Sequence, residues 1–376
     1  MVEWKKLGDV CDIGTGSNNR EDACENGKYP FYVRSKDVLR INHYLYDEEA
    51  ILIPGEGGIG EIFHYVNGKY GLHQRTYRVH PTSNDIKGRF LYYILLEHFG
   101  SYIGKKSYKS TATSIRKPML LEFPIPIPPL SEQNRIVSIL DTFTESIENL
   151  KKQITERKKQ YAYLIDEAFG GSLAEMKKKA EVGIIRIEAL SSHGTFTRGR
   201  RFVRTDIIDN GQPCIHYGDM YTYYGLCADK AKTHLPYDFP KKMRYAKKGD
   251  VVIVAAGENN EDIGVGLVWQ GEEPAAVHDA CFIYESDFEP MFLSYFLRSS
   301  IYHLQIKSKV VRGKICSISS DGIGKALIPI YPIDKQKEIV EKLYPYEKLF
   351  VNLQAQLELR QKQYEYYRNM LLTFDE

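Results

Sequence analysis

The sequence predicts a mixed α/β fold of the α+β kind. Two tandem domains are separated by two long helices that pair as an antiparallel coiled coil, and an internal pseudo-two-fold repeat relates the halves. Three observations predict this. A block of sequence recurs 203 residues downstream without a gap. Each copy carries a heptad seam, the spacing of a coiled coil. Short β-rich runs and glycine-rich turns precede each copy.

The repeat sets the architecture. Pro129, Gln133, Ile136, Val137 and Leu140 recur as Pro332, Gln336, Ile339, Val340 and Leu343. Further on, Leu150, Gln153, Arg157, Gln160 and Tyr161 recur as Leu353, Gln356, Arg360, Gln363 and Tyr364. Upstream, Ser114-Ile115 matches Ser317-Ile318.

Each copy reads as one long helix opening after a proline, with Ser131 or Asp334 as the predicted N-cap. The first closes at Gly170-Gly171. Its seam runs Ile136, Leu140, Phe143, Ile147, Leu150, Ile154, Arg157, Tyr161. The second runs Ile339, Leu343, Tyr346, Phe350, Leu353, Leu357, Arg360, Tyr364. Arginine interrupts both at the same place, which two unrelated amphipathic helices would not do. Residues 131–169 make a helix of about 58 Å at 1.5 Å per residue. Side by side, the helices form a ruler. The predicted domains are 1–130 and 171–332, with helical spacers at 131–170 and 333–376.

Both preceding segments read as mixed α/β. The β-rich runs are 30–33, 50–54, 60–66 and 76–80, then 250–256, 265–269 and 281–285, with one helix late in each segment, at 90–98 and 291–299. A small curved sheet is expected in each. His73-Gln74 falls near the place of His278-Asp279, and Lys28-Tyr29-Pro30 near that of Gly211-Gln212-Pro213. The loops differ. A shared scaffold with different loops suits two readers of two different sequences.

Composition bounds the function. The 376 residues are 43% hydrophobic and 27% charged, a globular profile. No apolar run reaches membrane-span length and the start lacks a signal-peptide core, so the expectation is a cytoplasmic protein. Net charge is +2, so charge placement matters more than the total. The six cysteines form no C-x-x-C pair and read as reduced structural thiols, with no metal site expected.

Catalytic motifs fail in context. Gly55-Glu-Gly-Gly-Ile-Gly60 matches a dinucleotide fingerprint, but a strand-like run follows where a helix should open. No P-loop, methyltransferase tetrad or nuclease-like acidic cluster is present. No catalytic residue is expected, and no cofactor in this chain.

The segment before each helix is basic and rich in hydroxyls, which suits phosphate contact. In the first copy it holds Lys105, Lys106, Tyr108, Lys109, Thr111 and Arg116; in the second, Lys307, Lys309, Arg312 and Lys314. The competing reading is a solvated basic loop. Candidates for reading base edges are Arg20, Arg34, Lys36, Gln74 and Arg75 in the first segment. In the second they are Arg198, Arg200, Arg201, Arg204, Asn259 and Asn260. Tyr221 and Tyr223 either stack on a partner or pack internally. His73 and His278 read as structural histidines.

This pattern resembles the specificity subunit of type I restriction–modification systems. The resemblance rests on Trp4-Lys-Lys-Leu-Gly-Asp-Val10, on Ile125-Pro-Ile-Pro-Pro-Leu-Ser-Glu-Gln133 with the helix after it, and on the second copy at Ile328-Pro-Ile-Tyr-Pro-Ile-Asp-Lys-Gln336. The second copy departs at Tyr331 and at Asp334-Lys335. The resemblance implies two target-recognition domains reading a bipartite, asymmetric DNA site. It implies helices that set the spacer and bind two methyltransferase subunits, and restriction subunits as possible further partners. S-adenosylmethionine and ATP with magnesium would belong to those partners alone. Two other readings compete: an autonomous methyltransferase, and a scaffold that binds polypeptides through its paired domains.

Overall fold

The computed structural model describes residues 2–107, 114–240 and 242–375, and only the backbone of 105–107. The chain begins with β1 (Glu3–Lys6), α1 (Leu7–Val10), β2 (Cys11–Thr15), β3 (Tyr29–Tyr32), β4 (Val38–Ile41), β5 (Tyr46–Pro54), β6 (His64–Leu72) and β7 (Thr76–Pro81). Then come α2 (Gly88–Ser107), α3 (Lys117–Leu121), β8 (Pro124–Ile127) and the long α4 (Leu130–Ala168). Next are α5 (Leu173–Glu181), β9 (Ile187–Ala189), β10 (Gly194–Arg198), β11 (Gln212–Ile215), α6 (Asp219–Thr222), β12 (Cys227–Ala228), β13 (Thr233–Leu235), β14 (Tyr245–Ala246), β15 (Val251–Val254) and β16 (Ala256–Gly257). The chain ends with β17 (Gly266–Trp269), β18 (Ala275–Val277), β19 (Cys281–Ser286), α7 (Pro290–Phe296), α8 (Ser300–Ile306), β20 (Cys316–Ser317), α9 (Ser320–Gly324), β21 (Leu327–Pro329) and the long α10 (Ile333–Leu372). It divides into two compact units, residues 1–151 with 355–376, and residues 152–354. The division falls inside α4 and α10, so each unit holds one end of each long helix.

In the first unit six strands pair in the order β2-β7-β5-β6-β3-β4. Neighbours are antiparallel except β3 and β6, where Phe31 lies opposite Gly71 in parallel. β5 is buried on both faces, and strand alternation divides its side chains. Ile51 and Ile53 join the core around α2, while Ala50 and Leu52 pack with Val66, Tyr70 and Leu72. α2 is helical because Leu91, Leu95, Phe99 and Ile103 recur every four residues and all are buried in that core. Ile136 and Leu140 of α4 and Leu371 and Leu372 of α10 complete it. Each such side chain contributes about 1.5–3 kcal/mol on burial. Phe143 stacks on Tyr367 at 5.3 Å, and Arg360 lies 5.5 Å from the Phe143 ring. As α4 advances, α10 returns, so the two run antiparallel here.

In the second unit the two larger sheets are β10-β19-β15-β17-β12 and β13-β11-β18-β14, beside the two-stranded pairs β16-β20 and β21-β9, rather than the one small sheet expected. Ile165 of α4 and Phe169 just past its end share its core with Ile339 and Leu343 of α10. Tyr331 donates to the carbonyl of Ala168 at 3.5 Å, and the Glu347 carboxylate lies close enough to Tyr161 to raise its pKa, again an antiparallel arrangement. The same small framework starts each unit: Leu7 N donates to Phe123 O at 2.8 Å, and Leu190 N to Ala326 O at 3.0 Å.

Several expectations need correction. Both long helices begin one residue earlier than read. The amides of Glu132 and Gln133 reach the Pro129 carbonyl, and those of Lys335 and Gln336 reach that of Pro332. Ser131 and Asp334 therefore sit inside the first turn rather than capping it. The run 60–66 becomes a strand only from His64, because Gly57, Gly58 and Gly60 turn the chain at φ of 68°, 71° and 73°. The helix expected at 291–299 stops at Phe296, and Ser299 caps α8 through its hydroxyl. Gly170 and Gly171 end α4 with φ of 106° and 90°, as the sequence predicts.

The seams are partly buried. Ile136, Leu140, Ile147, Ile339, Leu343 and Leu353 are buried, and Phe143, Leu150, Ile154, Phe350, Leu357 and Arg360 are half-buried. Arg157 and Tyr346 are exposed, and Arg157 bonds Gln160 on its own helix. A 3.6-residue helix drifts from a 3.5-residue repeat, which carries such positions off the seam. α10 continues through Pro345, which removes the bond to the Glu341 carbonyl beside Tyr346.

Candidate nucleic-acid interface

Both units build a cleft from the same backbone bonds. In the first, His73 N donates to Tyr32 O at 3.0 Å; in the second, His278 N donates to Ile215 O at 3.1 Å. The His73 Nδ1 accepts from Arg75 N, and the His278 Nδ1 from Ala280 N, each at 3.0 Å. Gly55 N donates to Arg75 O at 2.9 Å, and Ala255 N to Ala280 O at 2.8 Å. Ile115 N donates to Gly55 O and Ile318 N to Ala255 O, both at 2.8 Å. These bonds tie the turn after the central strand, glycine-rich in the first unit only, to the histidine and the end of the basic segment in each unit. Positions 32, 55, 75 and 115 thus correspond to 215, 255, 280 and 318.

The first cleft, of about 270 Å³, is lined by Arg20, Arg34, Ser35, Glu56, Gly57 and His73. Arg34 and Arg75 both reach Glu56 Oε2 at 3.0 Å. Side-chain exposures of 44, 57 and 40% leave these pairs solvated, worth at most about 1 kcal/mol each. They can be given up for a ligand. Gln74 donates to Asn19 at 2.6 Å beside them, and Lys36 is exposed after β3. Burial, with the charges of Arg34 and Arg75 adding to it, lowers the His73 pKa and favours a neutral ring.

The second cleft is larger, about 530 Å³, and is lined by Arg201, Val203, Arg204, His216, Tyr217, Glu258, His278 and Ile315. Burial pushes His216 down to about 4, with His278 adding to the effect, and burial lowers His278 as well. The His278 Nε2 bonds the Phe202 carbonyl at 3.0 Å. With both ring nitrogens bonded to backbone, His278 is structural, as the sequence suggests. Val311 and Ser317 exchange two backbone bonds, at 2.8 and 3.0 Å, forming a hairpin whose tip carries Arg312 and Lys314. Ile315 of this hairpin lines the cleft, so the exposed basic tip stands at its rim.

Other candidates lie apart. Arg198 is tied to the Asp279 carbonyl at 2.8 Å, and Arg200 is exposed. Asn260 and Lys307 line a separate cleft of about 350 Å³, and Asn259 bonds Asp262. Tyr221 is half-buried, its hydroxyl pushed up to about 12 by burial, whereas Tyr223 is exposed with Lys232 5.1 Å from its ring. Lys309 is exposed near the hairpin, and Arg116 is exposed before α3. The side chains of Lys105 and Lys106, and all of Tyr108, Lys109 and Thr111, lie outside the described residues. Sequence reasoning missed Glu56, Tyr217 and His216. Glu56 stood in plain view within the glycine-rich turn, but no local signal pairs it with Arg34 and Arg75.

Residues 1–157 match the family described as the type I restriction modification DNA specificity domain. The match covers the first cleft and the start of α4. The first 157 residues carry this specificity domain. It is 25% identical to the MjaVIII type I restriction enzyme specificity subunit of Methanocaldococcus jannaschii, across 92% of this chain and 86% of that one. Over 157 residues it is 32% identical to the EcoDI type I restriction enzyme specificity subunit of Escherichia coli, which is 41% of this chain and 34% of that one. Its fold is similar to the S subunit of a type I restriction–modification system from M. genitalium, with a TM-score of 0.65, 17% identity, and coverage of 100% and 97%. Among the described residues no helix is long and apolar enough to cross a membrane.

Proposed function

We propose that this chain supplies the DNA sequence specificity of a type I restriction–modification complex. Each unit reads one half of a bipartite, asymmetric site. The observation that carries this is the pair of clefts: one framework of backbone bonds, lined by different side chains. A shared scaffold with different linings is what two readers of two different half-sites require. The basic hairpin at the rim of the second cleft would hold phosphates, and the cleft residues would meet base edges.

In this reading the chain binds and positions, and the chemistry belongs to partners. Two methyltransferase subunits would dock on the long helices, with restriction subunits as further members. S-adenosylmethionine, ATP and magnesium would be theirs, and the complex would act in the cytoplasm. The helices act as a spacer, paired as an antiparallel coiled coil. Linking two weak readers raises the effective concentration of the second once the first is bound. A polypeptide scaffold draws no support from the relatives reported above, which are specificity subunits.

The test is methylome sequencing of cells expressing the partner methyltransferase with and without this chain. A bipartite methylated motif that appears only with the chain is the expected result. An unchanged methylome with an active partner overturns the reading.

A further inference from the structure

We propose that Arg34, Glu56 and Arg75 read a G·C base pair in the half-site of the first unit, an inference that rests on the specificity reading above. Both arginines reach the same carboxylate oxygen, Oε2, at 3.0 Å. Among the described residues, no hydrogen bond reaches Oε1. All three side chains are well exposed, and two of them line the cleft.

A phosphate clamp would not place a carboxylate between its arginines, because the phosphate would meet a like charge at the centre. Base edges in the major groove suit the arrangement. Guanine presents O6 and N7 as two adjacent acceptors for an arginine fork, and its partner cytosine presents the N4 amino group as a donor to a carboxylate. An arginine beside a carboxylate therefore matches both halves of one G·C pair. An A·T pair offers no two adjacent acceptors to the fork. The interlocked arginines also keep Glu56 in place before DNA arrives.

The second unit lacks this arrangement. Counting from the shared bonds, positions 34, 56 and 75 correspond to Tyr217, Ala256 and Ala280. The requirement for G·C from this trio is confined to one half-site.

The test is selection of duplexes from a randomised DNA library by the full chain and by its Arg34→Ala, Glu56→Gln and Arg75→Ala variants, with the bound DNA sequenced. The wild type should select a bipartite motif with an invariant G·C position in one half. Glu56→Gln and Arg75→Ala should relax that position by about 5- to 150-fold and leave the other half unchanged. Retained selectivity at the remaining positions of the altered half shows that the first unit of the variant is folded. Three results overturn the proposal: no G·C at the position the variants alter, an unaltered motif, or equal loss of binding to all sequences. A wild type that selects no motif sinks the specificity reading itself, whereas a motif without the G·C position sinks only the trio.

Discussion

Gln133 and Gln336, 203 residues apart in the chain, make the same pair of hydrogen bonds. The Gln133 Oε1 accepts from Lys87 N at 2.8 Å, and its amide donates to the carbonyls of Asp85 and Pro128 at 2.7 and 2.9 Å. The Gln336 Oε1 accepts from Glu289 N at 2.8 Å, and its amide donates to Tyr331 O at 2.8 Å. Each glutamine is buried and pins the start of a long helix to the start of a domain helix. Gln133→Ala should leave the Lys87 amide without a partner and cost about 1–3 kcal/mol. Urea titration of the variant measures it, and Gln336→Ala should behave alike.

Gly57 and Gly60 both hold positive φ, but in different surroundings. A Cβ on Gly57 meets nothing within 4 Å, whereas one on Gly60 would lie 2.7 Å from Gly100 Cα. Gly57→Ala should cost about 1–2 kcal/mol from backbone strain alone. Gly60→Ala adds overpacking against α2 and should cost about 2–5 kcal/mol. Equal thermal shifts for the two variants would contradict the close packing of Gly60 on α2.

Asp141 accepts from Arg89 Nε at 2.8 Å and from the Tyr93 hydroxyl at 2.6 Å. It joins α4 to α2. Asp141→Ala strands both donors and should destabilise the first unit by about 2–4 kcal/mol. Asp141→Asn keeps one acceptor and should lose less, as denaturant midpoints will show.

Acid should weaken the second unit before its carboxylates titrate. His216 has a folded pKa of about 4 against an ordinary 6.5, because burial disfavours the charged ring. Between these values the unfolded chain binds the extra proton, so stability is full above pH 6.5 and falls as pH drops toward 4. His278 shifts in the same direction. His216→Gln should flatten the dependence of the unfolding midpoint over that window.

Lys309 and Arg312, beside and in the hairpin at the second cleft, should act on DNA without regard to sequence. Their replacement by Ala should weaken binding to specific and unrelated duplexes alike. Each lost phosphate contact should reduce the slope of log affinity against log salt by about 0.9. Loss confined to one base position would assign them to base reading instead.

The sequence made the long helices and the repeat legible because they are periodic. Heptad spacing and the 203-residue offset are properties of the chain alone. It placed His73 opposite His278 and Pro30 opposite Pro213 correctly, since β3 and β11 are equivalent strands. It missed α5, although Ser172 and Glu175 form a capping box that is readable from their spacing. The Arg34, Glu56 and Arg75 trio was not legible, because strand pairing between β3 and β6 brings together residues far apart in sequence. Arg157 and Tyr346 misled for the opposite reason: helical drift turns regular spacing into the wrong face.

The first unit is assembled from residues 1–151 and 355–376, whereas the second is one continuous stretch. Synthesis and architecture are thus out of step. A ribosome finishes the core of the second unit before the first receives Leu371 and Leu372. A premature stop codon or frameshift beyond position 354 would damage the domain translated first and spare the one translated last. Conversely, exchanging the 152–354 segment between genes would replace one reader whole, through two crossovers that both fall within helix-coding sequence.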